Sequence, residues 1–121
     1  MTELAEARAA VTYGSPELRE LIDRQEIWSL LLRYGRGIDR LDRALIRSCY
    51  WDDAVDDHHT FVGSADAFID WAFAFSRDTN TVHHHGVGKH YVELDGDRAY
   101  GGTYYTFIGA NLRPPHLLSI G

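Results

Sequence analysis

Two long runs of strand-forming residues meet at Asp95-Gly96, and this junction constrains the fold more than any other feature of the chain. Residues 81–94 begin with histidines and continue through Tyr91, Val92 and Leu94. Residues 98–112 carry Tyr100, Tyr104, Tyr105, Phe107 and Ile108. Asp and Gly both tolerate positive φ, so the pair reads as a two-residue hairpin turn between antiparallel strands. Arg113-Pro114-Pro115 breaks the second run, because proline brings no N–H to a ladder. Residues 117–120 open a further apolar run.

The first half of the chain has the helical period instead. Ser15-Pro16-Glu17 offers a hydroxyl cap, a proline at the first helical position and an acid in the first turn. Leu18, Leu21, Ile22, Gln25, Trp28, Leu31, Leu32, Tyr34 and Ile38 are linked by three- and four-residue spacings along one stripe, which predicts an amphipathic helix over about 16–38. Asp42 caps a short second helix with Leu45 and Ile46 inward, ending near Cys49-Tyr50-Trp51. Asp52-Asp53 forms a turn, a strand is expected over 54–60, and Gly63-Ser64 punctuates. Ser64 caps a third helix over 65–76, strongly apolar through Phe68, Ile69, Trp71, Ala72, Phe73 and Phe75. Residues 1–14 read as a loose arm or short helix. The order is an α+β layout, a curved sheet wrapped over helices, in one domain over 15–121.

Charge narrows the function. Eighteen acidic against twelve basic residues give a net charge of −6, whereas nucleic acid and anionic membrane both call for a basic patch. No apolar run approaches the roughly 20 residues of a membrane span. One cysteine, Cys49, cannot form an internal disulfide, and the N-terminus lacks an apolar export core. Both features favour the cytoplasm.

The chemistry-bearing residues are histidines and aromatics. Five of the seven histidines sit in two clusters, His58-His59 and His83-His84-His85, interleaved with seven tyrosines, five phenylalanines and three tryptophans. On a strand, His83 and His85 share one face and His84 takes the other. Asp39 lies at the end of the first helix, where it either caps a turn or points into the space between helix and sheet. A strand histidine opposite it would form an Asp–His dyad, able to remove a proton beside a carbonyl or to assist loss of hydroxide. A hydrogen-bonded structural histidine is the plainer reading of the same residue. His83 and His85, with His58 or Asp56, could also hold zinc or iron, but no third fixed ligand motif appears and no metal is expected. No nucleophile elbow, phosphate loop or dinucleotide fingerprint occurs. Tyr34, His58, Tyr50, Trp51, Tyr104 and Tyr105 suit a pocket for an aromatic or fused-ring ligand, or else pack as ordinary core.

Residues 21–27 (LIDRQEI), Tyr34-Gly35-Arg36-Gly37-Ile38-Asp39-Arg40-Leu41-Asp42, Tyr50-Trp51-Asp52-Asp53-Ala54, His85-Gly86-Val87-Gly88-Lys89 and Leu94-Asp95-Gly96-Asp97-Arg98-Ala99 together resemble SnoaL-like proteins of the nuclear transport factor 2-like superfamily. The resemblance runs from about residue 17 to 121. Its branch with scytalone dehydratase, bile-acid 7α-dehydratase and hexachlorocyclohexane dehydrochlorinase pairs a helix-end aspartate with a strand histidine, and Asp39 and His85 match these. Tyr34 matches the tyrosine that precedes the aspartate in bile-acid dehydratase. His58 stands where scytalone dehydratase carries a pocket tyrosine. The family's usual asparagine after the histidine strand is Lys89, and the second pocket histidine of scytalone dehydratase has no match within 104–110.

The implied fold is a cone-shaped α+β barrel, three helices on a strongly curved mixed or antiparallel sheet. The family's length implies further strands beyond Gly121, supplied by a longer chain or a neighbouring subunit. The implied activity is a cofactor-independent dehydratase or isomerase of lyase type, acting on a small hydrophobic hydroxy-carbonyl compound. Asp39, His85, Tyr34 and His58 are its expected catalytic residues. Trp28, Tyr50, Trp51, Phe61, Phe73, Tyr104 and Phe107 are expected to contact substrate. Relatives assemble as trimers or dimers through the outer sheet face, so a homo-oligomer is expected. The alternatives are a non-catalytic small-molecule-binding domain and an accessory subunit resembling the small subunit of ring-hydroxylating dioxygenases.

Overall fold

The computed structural model describes residues 14–111 and 118–120. The expected arm before Gly14 and the break at Arg113-Pro114-Pro115 lie outside the described residues. Helix α1 spans Pro16–Arg40 and opens as expected, with the Ser15 hydroxyl accepting from the Leu18 N–H at 3.2 Å. It closes on Leu41, whose positive φ of 52° lets its N–H and that of Asp42 return to the carbonyls of Ile38 and Gly37. Helix α2, Arg43–Arg47, is capped by the Asp42 carboxylate on the Leu45 N–H at 3.0 Å. Helix α3, Ala65–Thr79, runs one turn further than its apolar pattern predicts, and the Ser64 hydroxyl accepts from the Ala67 N–H.

These helices enclose the core. Ile38, Ile46, Phe68, Ile69 and Phe73 are its buried members, with Tyr34, Leu41, Tyr50, Phe61 and Ala72 packed around them. Not all of the α1 stripe reaches this core, since Leu21 and Leu32 are 65% and 45% exposed. At Gly37, α1 lies directly against Ile46 of α2. A Cβ there would lie 2.7 Å from Ile46 Cγ1 and 3.1 Å from the Ile46 backbone nitrogen. Helix propensity alone would favour alanine at this site by about 1 kcal/mol. The clash reverses the sign, so Gly37→Ala is expected to destabilise by roughly 1–3 kcal/mol in urea unfolding.

Strand β1, Val55–Asp57, and strand β2, Val62–Ser64, form a short antiparallel ladder. The expected strand over 54–60 is therefore only three residues long, and Gly63-Ser64 is part of a strand rather than a break. The chain turns at His59, which has φ 59° and whose N–H is accepted by the Asp57 carboxylate. Strand β3, Asn80–Asp95, pairs with β4, Arg98–Asn111, and β4 pairs with β5, Leu118–Ile120. The last β3–β4 pair is Asp95 with Arg98, so the turn residues are Gly96 and Asp97, with Gly96 at φ 60°. The turn is one residue later than Asp95-Gly96 because glycine takes its first left-handed position.

Every described pairing is antiparallel, in one two-stranded and one three-stranded sheet. This differs from the expected cone: the described strands are not closed into a barrel, since no ladder joins β1–β2 to β3–β4–β5. An extra residue in β3 at Gly88-Lys89 shifts its register between Val87 and His90. Such a bulge changes which residues face inward. His83, His85 and Val87 face the helices before it, and His90 and Val92 after it.

β3 runs antiparallel beside α1. Arg24 donates to the Val92 carbonyl at 2.7 Å near one end, and Gly35 lies beside Val87 and His85 at the other. This contact brings the last turn of α1 against the middle of β3.

Candidate active site

Asp39, in that last turn, reaches His85 directly. Its Oδ1 lies 2.6 Å from His85 Nδ1, and its Oδ1 and Oδ2 also accept the His85 backbone N–H at 3.0 and 3.1 Å. One carboxylate thus holds both the strand and the ring. A carboxylate only accepts, so the shared proton belongs to Nδ1 and Nε2 is left unprotonated in the neutral ring. The ring also packs on Phe107, 5.0 Å between centroids, and Tyr105, 5.7 Å. Both side chains are mostly enclosed, at 19% and 20% exposure.

A second carboxylate–imidazole pair stands on β1 and the turn after it. Asp56 Oδ1 pairs with His58 Nδ1, and Asp56 Oδ2 accepts from the Tyr50 hydroxyl at 2.6 Å. Spacing of two along a strand puts Asp56 and His58 on one side. The His58 ring stacks on Phe68 with centroids 4.5 Å apart, and Tyr34 stacks on the same phenylalanine. The sequence carries this pair as Asp-x-His, but the local pattern suggests only a metal ligand in Asp56. Among the described residues no three His, Cys, Asp or Glu side chains converge as a metal set.

Tyr34 and Tyr50 lie edge to face between the two pairs. Burial, and next the Asp56 charge, push the Tyr34 hydroxyl up to about 12. Burial and the hydrogen bond to Asp56 raise Tyr50 well above the ordinary phenol range. Both therefore stay protonated through neutral pH. Linkage gives the sign for stability. Folded Tyr34 keeps its proton while an unfolded tyrosine loses it near pH 10, so this contribution is intact below pH 10 and lost as pH rises toward 12. Urea midpoints are expected to fall across that window, with less of a fall in Tyr34→Phe.

These groups line two adjoining cavities. The larger, about 750 Å³, is walled by Leu30, Leu31, Tyr34, Tyr50, Asp56, His58, His85, Val87, Thr103 and Tyr105. The smaller, about 260 Å³, is lined mainly by Ile38, Phe68, Trp71, Phe75, His83 and Phe107. Tyr34, His58, His85 and Tyr105 line both, so the two imidazoles sit where the cavities meet. The size is in the range of small-molecule sites.

Of the expected site residues, Asp39 reaches this junction through His85, while His85, Tyr34 and His58 line it directly. Tyr50 lines the larger cavity and Phe107 the smaller. Trp28 packs instead on His90 with centroids 5.3 Å apart. Trp51 is 83% exposed, beyond the end of α2, and lines neither cavity. Phe61 stacks on Trp71, and Phe73 is buried in the core with Arg43 and Arg77 over its ring. Tyr104 points outward because β4 alternates and its neighbours Thr103 and Tyr105 take the cavity face. His83 and Thr103 line the cavities although neither is among the expected site residues. The alternation of β4 about Tyr105 is the signal that could have found Thr103.

A family model described as the SnoaL-like domain matches residues 19–119. The chain belongs to this SnoaL-like family. Two solved structures share the fold. The Kfla4162 protein from Kribbella flavida is 21% identical with a TM-score of 0.68, over 76% of this chain and 66% of that one. Rv3472 from Mycobacterium tuberculosis, solved as a variant and described as a function unknown protein, is 21% identical with a TM-score of 0.69, over 89% and 62%. This SnoaL-like chain thus spans about two thirds of the length of each. No curated protein matches it. Among the described residues no helix of this SnoaL-like domain is long and apolar enough to cross a membrane.

Proposed function

We propose that this SnoaL-like domain is a cofactor-independent lyase or isomerase of the dehydratase type. Its substrate is a small hydrophobic, cyclic hydroxy-carbonyl compound. The observation that carries this reading is the 2.6 Å contact of Asp39 with His85 Nδ1 at the edge of an aromatic cavity. That contact leaves Nε2 as a base with its lone pair free.

In the proposed cycle, His85 Nε2 takes the proton from the carbon beside the carbonyl. The Asp39 carboxylate compensates the positive charge the ring acquires. Electron density moves onto the carbonyl oxygen, where the Tyr34 hydroxyl donates a hydrogen bond. A phenol that holds its proton firmly stabilises the developing oxyanion without being consumed by it. For elimination, the C–O bond to the β-hydroxyl breaks, the C=C bond forms, and protonated His58 gives the leaving hydroxide its proton to yield water. For isomerisation, the proton held by His85 returns at another carbon.

The first half of this cycle is testable on 1-tetralone, a bicyclic ketone with no leaving group. In D₂O the protein is expected to speed deuterium entry at the α-carbon, read by NMR, and His85→Ala to return it to the buffer rate. Saturable binding of 1-tetralone without any exchange would instead favour a non-catalytic binding domain.

A further inference from the structure

Asp56 is the most deeply buried charged side chain among the described residues, at 8% exposure, and the proposed cycle gives it no part. It sits on β1 facing the larger cavity, and two polar side chains meet it there. Tyr50 donates its hydroxyl to Oδ2 at 2.6 Å, and His58 Nδ1 lies on Oδ1. Its geometry resembles that of Asp39, but the two are independent. Asp39 comes from a helix and holds His85, whereas Asp56 comes from a strand and holds His58.

An ionised carboxylate has no proton to give, so the proton of each contact must come from its partner. The His58 proton is therefore drawn to Nδ1, and Nε2 is the ring atom left for a ligand. The single Tyr50 proton is committed to Asp56, so toward the cavity Tyr50 offers only lone pairs. Of the two buried hydroxyls, Tyr34, which also neighbours the Tyr50 hydroxyl within hydrogen-bonding reach, is then the one whose proton Asp56 does not hold.

We propose that Asp56 is a positioning residue that sets the donor and acceptor pattern of this wall. Tyr34 becomes its donor, Tyr50 an acceptor, and His58 Nε2 its proton-exchanging atom. The inference deepens the lyase–isomerase reading and rests on it for the role of His58. It also narrows the ligand chemistry. A carbonyl oxygen suits Tyr34, and a hydroxyl, which both donates and accepts, suits His58 Nε2 in either protonation state. A hydrocarbon or a simple ester, with no hydrogen to donate, would leave the neutral His58 Nε2 without a hydrogen-bonding partner on the ligand.

The experiment reads the imidazole protons directly. Long-range ¹H–¹⁵N correlation spectra of protein labelled at histidine nitrogen, recorded where the rings are neutral, show which nitrogen carries hydrogen. In the wild type, His58 is expected to be protonated at Nδ1. In Asp56→Ala it is expected to lose that preference and shift toward Nε2–H, while His85 remains protonated at Nδ1. Asp39→Ala is expected to do the reverse, moving His85 and sparing His58. Wild-type His58 found as Nε2–H would overturn the proposal without need of a variant. So would an unchanged His58 tautomer in folded Asp56→Ala. Deuterium exchange into 1-tetralone is a separate readout. Its absence alongside the expected tautomers would sink the lyase–isomerase reading and still support Asp56 as the residue that positions His58.

Discussion

His85→Ala is expected to lower turnover by about 10²- to 10⁴-fold, the usual contribution of a positioned acid–base group. Asp39→Asn should come close to the same loss, for a different reason. Its amide oxygen can still accept the His85 backbone N–H, so the strand stays in place. The amide NH₂ then faces Nδ1 and favours the tautomer with hydrogen on Nε2, which cannot act as a base. A comparable aspartate-to-asparagine change in a serine-protease triad costs about 10⁴ for this reason. Neither substitution removes a core side chain, since both residues are about one-fifth exposed. Urea midpoints should therefore move far less than activity does. Full α-exchange of 1-tetralone by either variant would rule out the dyad as the base.

Phe68→Ala is expected to destabilise the domain by about 3–5 kcal/mol in urea unfolding, as for other buried phenylalanines. Phe68 is 2% exposed and lies at the centre of the aromatic group. Its ring lies 4.5 Å from His58, 6.1 Å from Phe61 and Trp71, 6.2 Å from Tyr50 and 6.4 Å from Tyr34, measured between centroids. Removing it opens a void beside four residues that line the cavities, Tyr34, Tyr50, His58 and Trp71. Ligand binding should therefore weaken even where the variant remains folded. Phe68→Leu, which keeps most of the volume, should lose far less stability. A change under about 1 kcal/mol for Phe68→Ala would show that the surrounding rings collapse into the space.

Much of the local architecture is legible in the residues. The Ser15, Asp42 and Ser64 caps are short-range hydrogen bonds between a side chain and a backbone three residues on, so their chemistry is written into neighbouring positions. The hairpin is legible for the same reason, although its turn sits one residue later. The β1–β2 ladder is harder to read. Three-residue strands carry too few side chains for alternation to register, and Asp56 and Asp57 look like loop residues.

The site divides along the same line. Asp39 and His85 are 46 positions apart, and the family resemblance alone pairs them in the sequence. The 2.6 Å contact itself depends on α1 lying against β3, with Gly35 beside Val87 and His85. The Asp56–His58 pair is local in sequence, yet its burial comes from packing against Tyr50 and Phe68. The aromatics show the limit most plainly. Trp51, Tyr104 and Phe107 are equally plausible pocket residues by type. Only the strand parity on β4 and the path of the chain after α2 put Phe107 at the cavity, Tyr104 on the outer face and Trp51 in solvent. Periods and caps are short-range, so the chain alone specified its helices, its hairpin and its candidate chemical groups. Side-chain direction at a distant contact depends on register, bulges and close approach, and those emerge only once the elements pack.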